Sequence, residues 1–357
     1  PQVDVIASYG TQLLDWLNRY TFPAELAFAE RAHADAAAAF FLDRLLENGT
    51  TTAAVFCTVH PQSVDAFFTA SEARGVGMIA GKCLMDRHAP DGLTDTAETG
   101  YSDSKALIER WHGHARSRYA ITPRFAPTST LAQMQAMGAL AREHPGVYIQ
   151  SHVAENRAEI AWVNALFPGH RSYLDVYDHY GLLRDRSIYA HCIHLDGADR
   201  ARMTAAGATP SFCPTSNLFI GSGLYDLQQA LAAGNVVSVG TDVGGGTSYS
   251  MLRTLGEAYK VQQLLGTSLS PAYALYLATL GGARALSLDD EIGSITPGKF
   301  ADFALLDMAA TPLLARRTAL RNDPLDTFFA LMTLGDDRAI AATYASGRCV
   351  HRRGSPQ

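Results

Sequence analysis

Histidine, glutamate and aspartate residues suited to metal-assisted hydrolysis follow several apolar runs of the chain. His152 ends the run Val147–His152, and Glu155 lies three residues further on. An imidazole can bind a metal ion, and a nearby carboxylate can carry protons to and from a reacting group. On its own, this motif is equally consistent with a surface histidine beside a glutamate that caps the next helix.

Two further apolar runs end in residues that can bind a metal. His191 ends Ser187–His191, and Asp242 ends Val236–Asp242, just before a run of glycines. An aspartate can bind a metal ion and accept a proton from bound water, and glycines let the backbone turn tightly near a ligand. Taken singly, His191 is equally consistent with a histidine satisfied by the backbone, and Asp242 with an ordinary strand-to-helix turn.

Arg124 and Phe125 end the run Tyr119–Phe125 and suit recognition of a flat polar ring. A guanidinium group offers a fork of hydrogen-bond donors to a carbonyl group or a ring nitrogen. A phenyl ring can stack on a heterocycle. Without the other motifs, a surface ion pair beside a core phenylalanine is the preferred interpretation of this pair.

The runs that carry these residues are predicted strands of a parallel sheet. They are apolar without clean alternation, as expected for strands covered on both faces. The predicted strands are Thr51–Phe56, Val76–Leu84, Tyr119–Phe125, Val147–His152, Ser187–His191, Ala208–Cys213 and Val236–Asp242. Because the carboxyl ends of parallel strands form one face of a (β/α) barrel, the candidate residues are expected to converge there.

Helical patterns separate the predicted strands, which favours right-handed strand–helix–strand units. The predicted helices are Thr130–Glu143, with Thr128 or Ser129 as N-cap, Glu155–Leu166 and Ala198–Ala206. Seven strands are one short of a (β/α)8 barrel. We therefore predict an α/β fold, a TIM-like barrel that lacks its first strand in this chain, with that strand expected upstream of Pro1.

The pattern changes after about residue 286 to short strands separated by turns. Phe303–Leu306 and Ala342–Val350, with a turn at Ser346-Gly347, are the predicted strands. So few strands are not stable alone, and we expect them to form part of a small β-sandwich whose other half lies upstream. The predicted organisation is a barrel domain over 1–286 and a C-terminal segment with sandwich strands over 287–357.

The composition excludes several classes of protein. With 29 Lys and Arg against 35 Asp and Glu, the formal net charge is −6, which argues against sequence-independent binding to nucleic acid. No run approaches the roughly 18 apolar residues of a membrane-spanning helix. The five cysteines are scattered and never form a C-x-x-C pair, so a cytoplasmic protein with reduced thiols is expected.

Taken together and in this order, the motifs resemble the amidohydrolase superfamily. Its members carry an H-x-H motif after strand one, a histidine after strand five, a histidine after strand six and an aspartate after strand eight. His152, His191 and Asp242 match the last three, at predicted strands five, six and eight of a complete barrel. The stretch Gly293–Asp302 is similar to the segment where the superfamily returns to its sandwich.

Further stretches are similar to the branch of this superfamily that deaminates guanine, and the resemblance covers nearly the whole chain. They are Leu13–Glu25, Asn48–Ala53, Thr122–Phe125, Gln150–Asn156, Cys213–Leu218 and Gly240–Met251. The resemblance implies zinc-dependent hydrolysis of guanine to xanthine and ammonia by a homodimer.

The resemblance also implies a zinc site with one ion in each subunit. His152, His191 and Asp242 would bind the metal, and two further histidine ligands are expected upstream of Pro1. Glu155 would carry protons, while Asp242 and His191 would take part in catalysis as well as in metal binding.

The same resemblance implies which residues contact the purine. Arg124, Phe125 and His152 would do so. Gln2 would join them, because the family has a glutamine three residues after the second histidine of its H-x-H motif.

Two alternatives stay open. Another amidohydrolase, acting on a triazine, pterin or adenosine-type substrate, would share the zinc ligands, so only Arg124, Phe125 and Gln2 discriminate. A barrel that has lost its metal and serves as a scaffold is the second alternative. The combination of histidines and carboxylates argues against a scaffold, and metal analysis would decide.

Overall fold

The computed structural model of the chain describes residues 1–9, 12–320 and 323–354. Its main feature is a parallel sheet whose strands follow one another in chain order. The strands are Thr52–Phe56 (β1), Gly77–Gly81 (β2), Cys83–Leu84 (β3), Ser117–Pro123 (β4), Tyr148–Val153 (β5), Ser187–His191 (β6), Thr209–Phe212 (β7) and Ser238–Val239 (β8).

The strands pair in the order β1-β2-β4-β5-β6-β7-β8, and β3 pairs with β4 beside this path. Every pairing in this sheet is parallel, with helices in the connections between strands. This arrangement is a (β/α) barrel that lacks one strand, which confirms the predicted fold class.

Helices surround the sheet and also precede it. The α-helices of the described residues are Leu13–Trp16 (α1), Phe22–Leu26 (α2), Arg31–Glu47 (α3), Pro61–Arg74 (α4), Ala97–Trp111 (α5), Leu131–Glu143 (α6), Arg157–Leu166 (α7), Tyr173–His179 (α8), Gly197–Ala206 (α9), Pro214–Phe219 (α10), Leu227–Ala232 (α11), Met251–Leu264 (α12), Pro271–Ala278 (α13), Leu280–Ala285 (α14), Pro312–Thr318 (α15) and Pro324–Leu334 (α16). A π-helix, Leu17–Thr21, joins α1 to α2. Short 3-10 turns are Val3–Val5, Ala27–Ala29, Ala126–Thr128 and Asp337–Ala339. None of the helices among these residues combines the length and apolar character that crossing a lipid bilayer requires.

The apolar core lies between the sheet and the helices packed on it. β2 and β6 are buried along their whole length, as their apolar sequences predict for strands covered on both faces. Leu42 of α3, Phe68 of α4 and Tyr119 of β4 are fully buried in the same cluster. Because such cores are close-packed, the strand ends hold the residues that follow them in fixed positions.

The N-cap predicted for α6 is wrong by one or two residues. Thr130 caps this helix, and its side chain accepts a hydrogen bond from the backbone N–H of Gln133. Thr128 ends a separate 3-10 turn, and Ser129 is the extended residue that follows this turn. Neither hydroxyl is therefore placed to cap the helix.

The helix predicted from Glu155 begins two residues later, at Arg157. Asn156 caps α7, and its side chain accepts a hydrogen bond from the backbone N–H of Ala158. Glu155 therefore lies in the loop between strand and helix, where its carboxylate is free for a role other than capping.

The last barrel strand is shorter than the predicted Val236–Asp242. Only Ser238 and Val239 belong to β8, because the backbone turns back on itself after Gly240. In that turn the backbone N–H of Gly246 donates a 2.5 Å hydrogen bond to the carbonyl oxygen of Asp242. Hydrogen bonds within the turn thus replace those of a longer strand.

A second, antiparallel sheet follows near the C-terminal end of the described residues. It consists of Phe303–Leu306 (β9), Ile340–Ala345 (β10) and Arg348–Arg352 (β11), in the order β11-β10-β9. The predicted turn at Ser346-Gly347 joins its last two strands, with both residues at positive φ. The hydroxyl group of Thr343 donates to the carbonyl oxygen of Leu46 in α3, which attaches this sheet to the barrel.

Candidate active site

The three residues predicted to bind metal converge at one edge of the parallel sheet. His152 lies next to the end of β5, His191 is the last residue of β6, and Asp242 lies three residues beyond β8. The two imidazole rings stack with centroids 5.5 Å apart. Oδ2 of Asp242 lies 3.9 Å from Nε2 of His191. The strand positions predict this convergence, because the carboxyl ends of parallel strands share one face of a barrel.

The backbone holds the imidazole of His152 in one orientation. Its Nδ1 donates a 2.6 Å hydrogen bond to the carbonyl oxygen of Arg124. Because a carbonyl oxygen can only accept, the ring proton lies on Nδ1 and Nε2 keeps a free lone pair. Burial, and after it the neighbouring His191, lowers the pKa of His152 to about 3, so this ring stays neutral at physiological pH.

His191 is oriented in a similar way, by a side-chain amide. Its Nδ1 lies 2.8 Å from Oδ1 of Asn217 and donates to that oxygen. Its Nε2 faces the carboxylates of Glu155 and Asp242. Burial alone would lower the pKa of His191, but these two carboxylates outweigh burial and raise it.

Glu155 is a buried carboxyl between a hydroxyl and an imidazole. Oε1 accepts a 2.7 Å hydrogen bond from the hydroxyl of Ser222, and Oε2 lies 3.3 Å from Nε2 of His191. Burial raises the pKa of Glu155, although His191 acts in the opposite direction. A carboxyl with a raised pKa suits proton transfer near neutral pH.

A second buried carboxyl, Glu159, fixes the loop that carries Glu155. Oε2 of Glu159 accepts hydrogen bonds of 3.0 and 3.1 Å from the backbone N–H groups of Glu155 and Asn156. Its Oε1 accepts a 2.9 Å bond from the hydroxyl of Tyr173. The preceding Ala154 has a φ of +49°, a conformation that surrounding contacts must hold in place. Burial, followed by the charge of Glu155, raises the pKa of Glu159 to about 7.

Asp242 projects from a turn that requires glycine. It has a φ of +48° itself, and Gly244 has a φ of +124°. A Cβ atom on Gly246 would overlap the carbonyl oxygen of Thr241. The glycines therefore permit the tight turn that brings the carboxylate of Asp242 back toward His191.

Arg124 and Phe125 follow β4 directly and are both buried. Nη1 of Arg124 donates a 2.5 Å hydrogen bond to Oε2 of Glu25 in α2. Burial opposes the charge on the guanidinium group, but the carboxylate of Glu25 outweighs it and raises the pKa of Arg124. The ring of Phe125 meets the ring of Trp162 edge to face, with centroids 6.1 Å apart.

A cleft brings together all the residues predicted for the site. The predicted residues that line it are Gln2, Arg124, Phe125, His152, Glu155, His191 and Asp242. Leu13, Trp16, Leu17, Glu159, Ile220 and Gly245 also line it, and the sequence analysis assigns none of them to the site. The first three belong to the stretch Leu13–Glu25, which the sequence analysis identifies only by its similarity to the family. Nε1 of Trp16 is buried and has no hydrogen-bond partner within the described residues.

The donors in the cleft fit a zinc ion in their chemistry. Neutral imidazole nitrogen and carboxylate oxygen are ligands that Zn²⁺ accepts. The partners on Nδ1 of His152 and His191 leave Nε2 of each ring able to coordinate, as in known metal sites. However, across the part of the chain that the structure describes, no three His, Cys, Asp or Glu side chains already have the arrangement of a metal-binding cluster. The assignment of His152, His191 and Asp242 as ligands therefore stays a prediction supported by donor chemistry.

Comparisons with known proteins agree with the predicted family and fold. Residues 3–350 match the sequence profile described as the Amidohydrolase family. The chain is 52% identical over 353 residues to the guanine deaminase of Escherichia coli K12, an alignment that covers 99% of this chain and 80% of that protein.

Solved structures give the same result. A structure of E. coli guanine deaminase superposes with a TM-score of 0.98 at 51% identity, over 99% of this chain and 82% of that one. A structure of guanine deaminase from C. acetobutylicum, with guanine bound in its active site, superposes with a TM-score of 0.91 at 29% identity, over 98% of this chain and 84% of that one.

Proposed function

Because the chain belongs to the amidohydrolase family, we propose that it hydrolyses guanine to xanthine and ammonia with one zinc ion in each subunit. The observation that carries the proposal is the cleft itself. Every residue of this chain that the resemblance assigns to metal binding, proton transfer or base contact lines it. The relatives are guanine deaminases, which indicates guanine as the substrate, and the chemistry of the cleft suits guanine.

His152, His191 and Asp242 are the proposed zinc ligands of the described chain. When bound, zinc lowers the pKa of a coordinated water toward about 7 and so supplies a hydroxide nucleophile at neutral pH. The hydrogen bonds to Arg124 and Asn217 keep the two imidazole rings in their coordinating tautomers.

Two carboxyl groups move the protons of the proposed reaction. Asp242 accepts a proton from the attacking water, whose oxygen adds to C2 of guanine. Glu155 gives a proton to the adjacent ring nitrogen, then takes the proton of the added hydroxyl group and passes it to the departing amine, and is finally reprotonated by Asp242. The tetrahedral intermediate collapses to xanthine and ammonia. The raised pKa of Glu155 supports this role, because the group must hold a proton at neutral pH before delivering it.

Base recognition is assigned to Arg124, Gln2 and Phe125. Arg124 and Gln2 can donate hydrogen bonds to the 6-oxo group and neighbouring positions of guanine, whereas adenine has an amino group at that position. An unpaired buried donor makes binding of the wrong base unfavourable. Phe125 offers an aromatic ring to the plane of the purine.

Conversion of guanine to xanthine by protein that includes the two expected upstream histidines, measured with zinc content on the same sample, tests the proposal. We expect turnover that stops on chelation and returns when zinc is added. Bound zinc without turnover of guanine would be consistent with the fold and the hydrolytic chemistry but would indicate a related heterocycle as the substrate. A panel of purines, pterins and triazines would identify it. A protein with neither zinc nor turnover would contradict the proposal.

The proposal includes a cytoplasmic location and a homodimeric assembly. All five cysteines belong to the described residues and none forms a disulfide, which suits a reducing compartment. The homodimer follows from the resemblance to the family. Sedimentation of the purified protein measures the assembly, and a mass equal to one chain would contradict the homodimer.

A further inference from the structure

The proposed guanine site contains a buried ion pair whose acidic member has no role in the reaction above. Nη1 of Arg124 and Oε2 of Glu25 lie 2.5 Å apart, and their side chains are 6% and 1% exposed. Glu25 comes from α2, whereas Arg124 follows β4. A helix ahead of the barrel thus contacts the residue that we assign to base recognition.

Several contacts hold Arg124 at both ends. Its carbonyl oxygen accepts hydrogen bonds from Nδ1 of His152 and from the hydroxyl of Ser151, which fixes the backbone. Its guanidinium group lies over the ring of Phe22, 5.3 Å from the centroid. α2 therefore contributes both the carboxylate and the aromatic ring that flank this cation.

The ion pair leaves most of the guanidinium fork for a ligand. An arginine side chain has five N–H donors in a plane. Among the described residues, the only hydrogen bond from the side chain of Arg124 goes to Glu25. Because Arg124 also lines the cleft, the remaining donors are available to a carbonyl group on the substrate.

Glu25 also supplies the charge that neutralises Arg124. Of the carboxylates that the structure describes, no other forms an ion pair with this guanidinium group. Without Glu25, the guanidinium group would lose the partner that fixes its orientation, and its donors would no longer be held toward the base.

We propose that Glu25 is a positioning residue that fixes the guanidinium group of Arg124 for the 6-oxo group of guanine and thereby contributes to base selection. The inference rests on the proposed function. Glu25 lies outside the barrel, but it would orient the side chain of Arg124, which contacts the substrate inside the cleft.

The test compares guanine with 2-aminopurine, which is the same base without the 6-oxo group. In Glu25→Gln we expect KM for guanine to rise roughly 10-fold or more, with kcat changed far less, since a contact made in both ground and transition state acts mainly on KM. The inhibition constant of 2-aminopurine should stay within about 2-fold of the unsubstituted protein, because this ligand makes no contact through a 6-oxo group. Glu30→Gln, on an exposed residue of the same segment, is the matched control and should change neither value.

Coupling to Arg124 completes the test. In an Arg124→Ala background, Glu25→Gln should add no further loss of guanine affinity, since the two side chains would act through one contact. The inference would be overturned if Glu25→Gln weakened the binding of guanine and 2-aminopurine equally or left guanine affinity unchanged. It would also be overturned if the losses of guanine affinity from Glu25→Gln and Arg124→Ala were additive. If Glu25→Gln does not fold, as judged by circular dichroism, Glu25→Asp is assessed by the same criteria. Failure of the unsubstituted protein to turn over guanine would contradict the proposed function, whereas turnover with an unchanged ratio of the two ligands would contradict only the role of Glu25.

Discussion

The hydroxyl of Ser222 donates a 2.7 Å hydrogen bond to Oε1 of Glu155. The other oxygen of that carboxyl lies 3.3 Å from Nε2 of His191. A carboxyl held on both sides cannot rotate freely, so its proton is directed to one place in the cleft. Glu155 and Ser222 therefore have separate roles that substitutions can measure. Glu155 carries the proton, and Ser222 keeps the carboxyl group in the correct orientation.

Glu155→Gln should abolish proton transfer while keeping the shape of the side chain. We expect kcat for guanine to fall by roughly 10²- to 10⁴-fold, the usual contribution of a general acid–base group, with guanine affinity nearly unchanged. Ser222→Ala should lower kcat by only about 10-fold, since the proton carrier stays in place. Steady-state kinetics and equilibrium binding would check both values, and equal losses in the two variants would contradict the division of roles.

Asn217→Ala should weaken zinc binding, because it removes the acceptor that keeps the proton of His191 on Nδ1. Loss of such a partner typically lowers metal affinity by about 10- to 100-fold. Zinc retained during titration with a chelator is the measurement. Asn235→Ala, which also removes a buried amide with side-chain hydrogen bonds, should change stability but not zinc affinity. Unaltered zinc retention in Asn217→Ala would contradict the assignment of His191 as a ligand.

Glu159 should make the stability of the protein depend on pH. Its pKa in the folded state is about 7, against an ordinary value of 4.5, so the folded protein binds more protons between these values. Its contribution to the free energy of unfolding is complete below pH 4.5 and is lost as the pH rises through 7. Between pH 5 and pH 7.5, the free energy of unfolding measured with denaturant should fall by up to about 3 kcal/mol more in the unsubstituted protein than in Glu159→Gln. Parallel pH profiles of the two proteins would contradict this prediction.

Arg116→Ala should destabilise the contact between the barrel and the C-terminal sheet. Its two Nη atoms donate hydrogen bonds of 3.1 and 2.6 Å to the carboxylate of Asp302, and both side chains are largely buried. Breaking such a pair costs about 3 kcal/mol, whereas Arg31→Ala at an exposed pair should cost less than about 1 kcal/mol. Chemical denaturation would measure both values. Guanine turnover at low temperature should be unaffected in each variant, and a loss of turnover would show that this contact reaches the site.

The sequence predicts the bounds of two strands correctly. β6 and β9 have the predicted bounds, because short apolar runs between polar residues leave little choice of register. The sequence is less informative at β8, since an apolar run does not show where the backbone leaves the sheet. There, hydrogen bonds inside the turn at Asp242 end the strand early.

Apart from Gln2, the residues predicted for the site are those whose position follows from the end of a strand. Two of the residues that support them are missed because each meets its partner from a distant part of the chain. Glu25 is 99 residues from Arg124, and Ser222 is 67 residues from Glu155. No local pattern marks such pairs. The division of the chain at residues 286 and 287 stays a prediction.

The glycine turn after β8 has a consequence for engineering the cleft. A Cβ atom on Gly246 would overlap the backbone of Thr241, and one on Gly244 would collide with Gln2. A directed-evolution library that randomises this turn would consist mostly of misfolded variants. Diversity introduced at Leu13, Leu17 and Ile220 would instead change the apolar walls of the cleft and leave its backbone intact. These three positions are where selection for new heterocyclic substrates should begin.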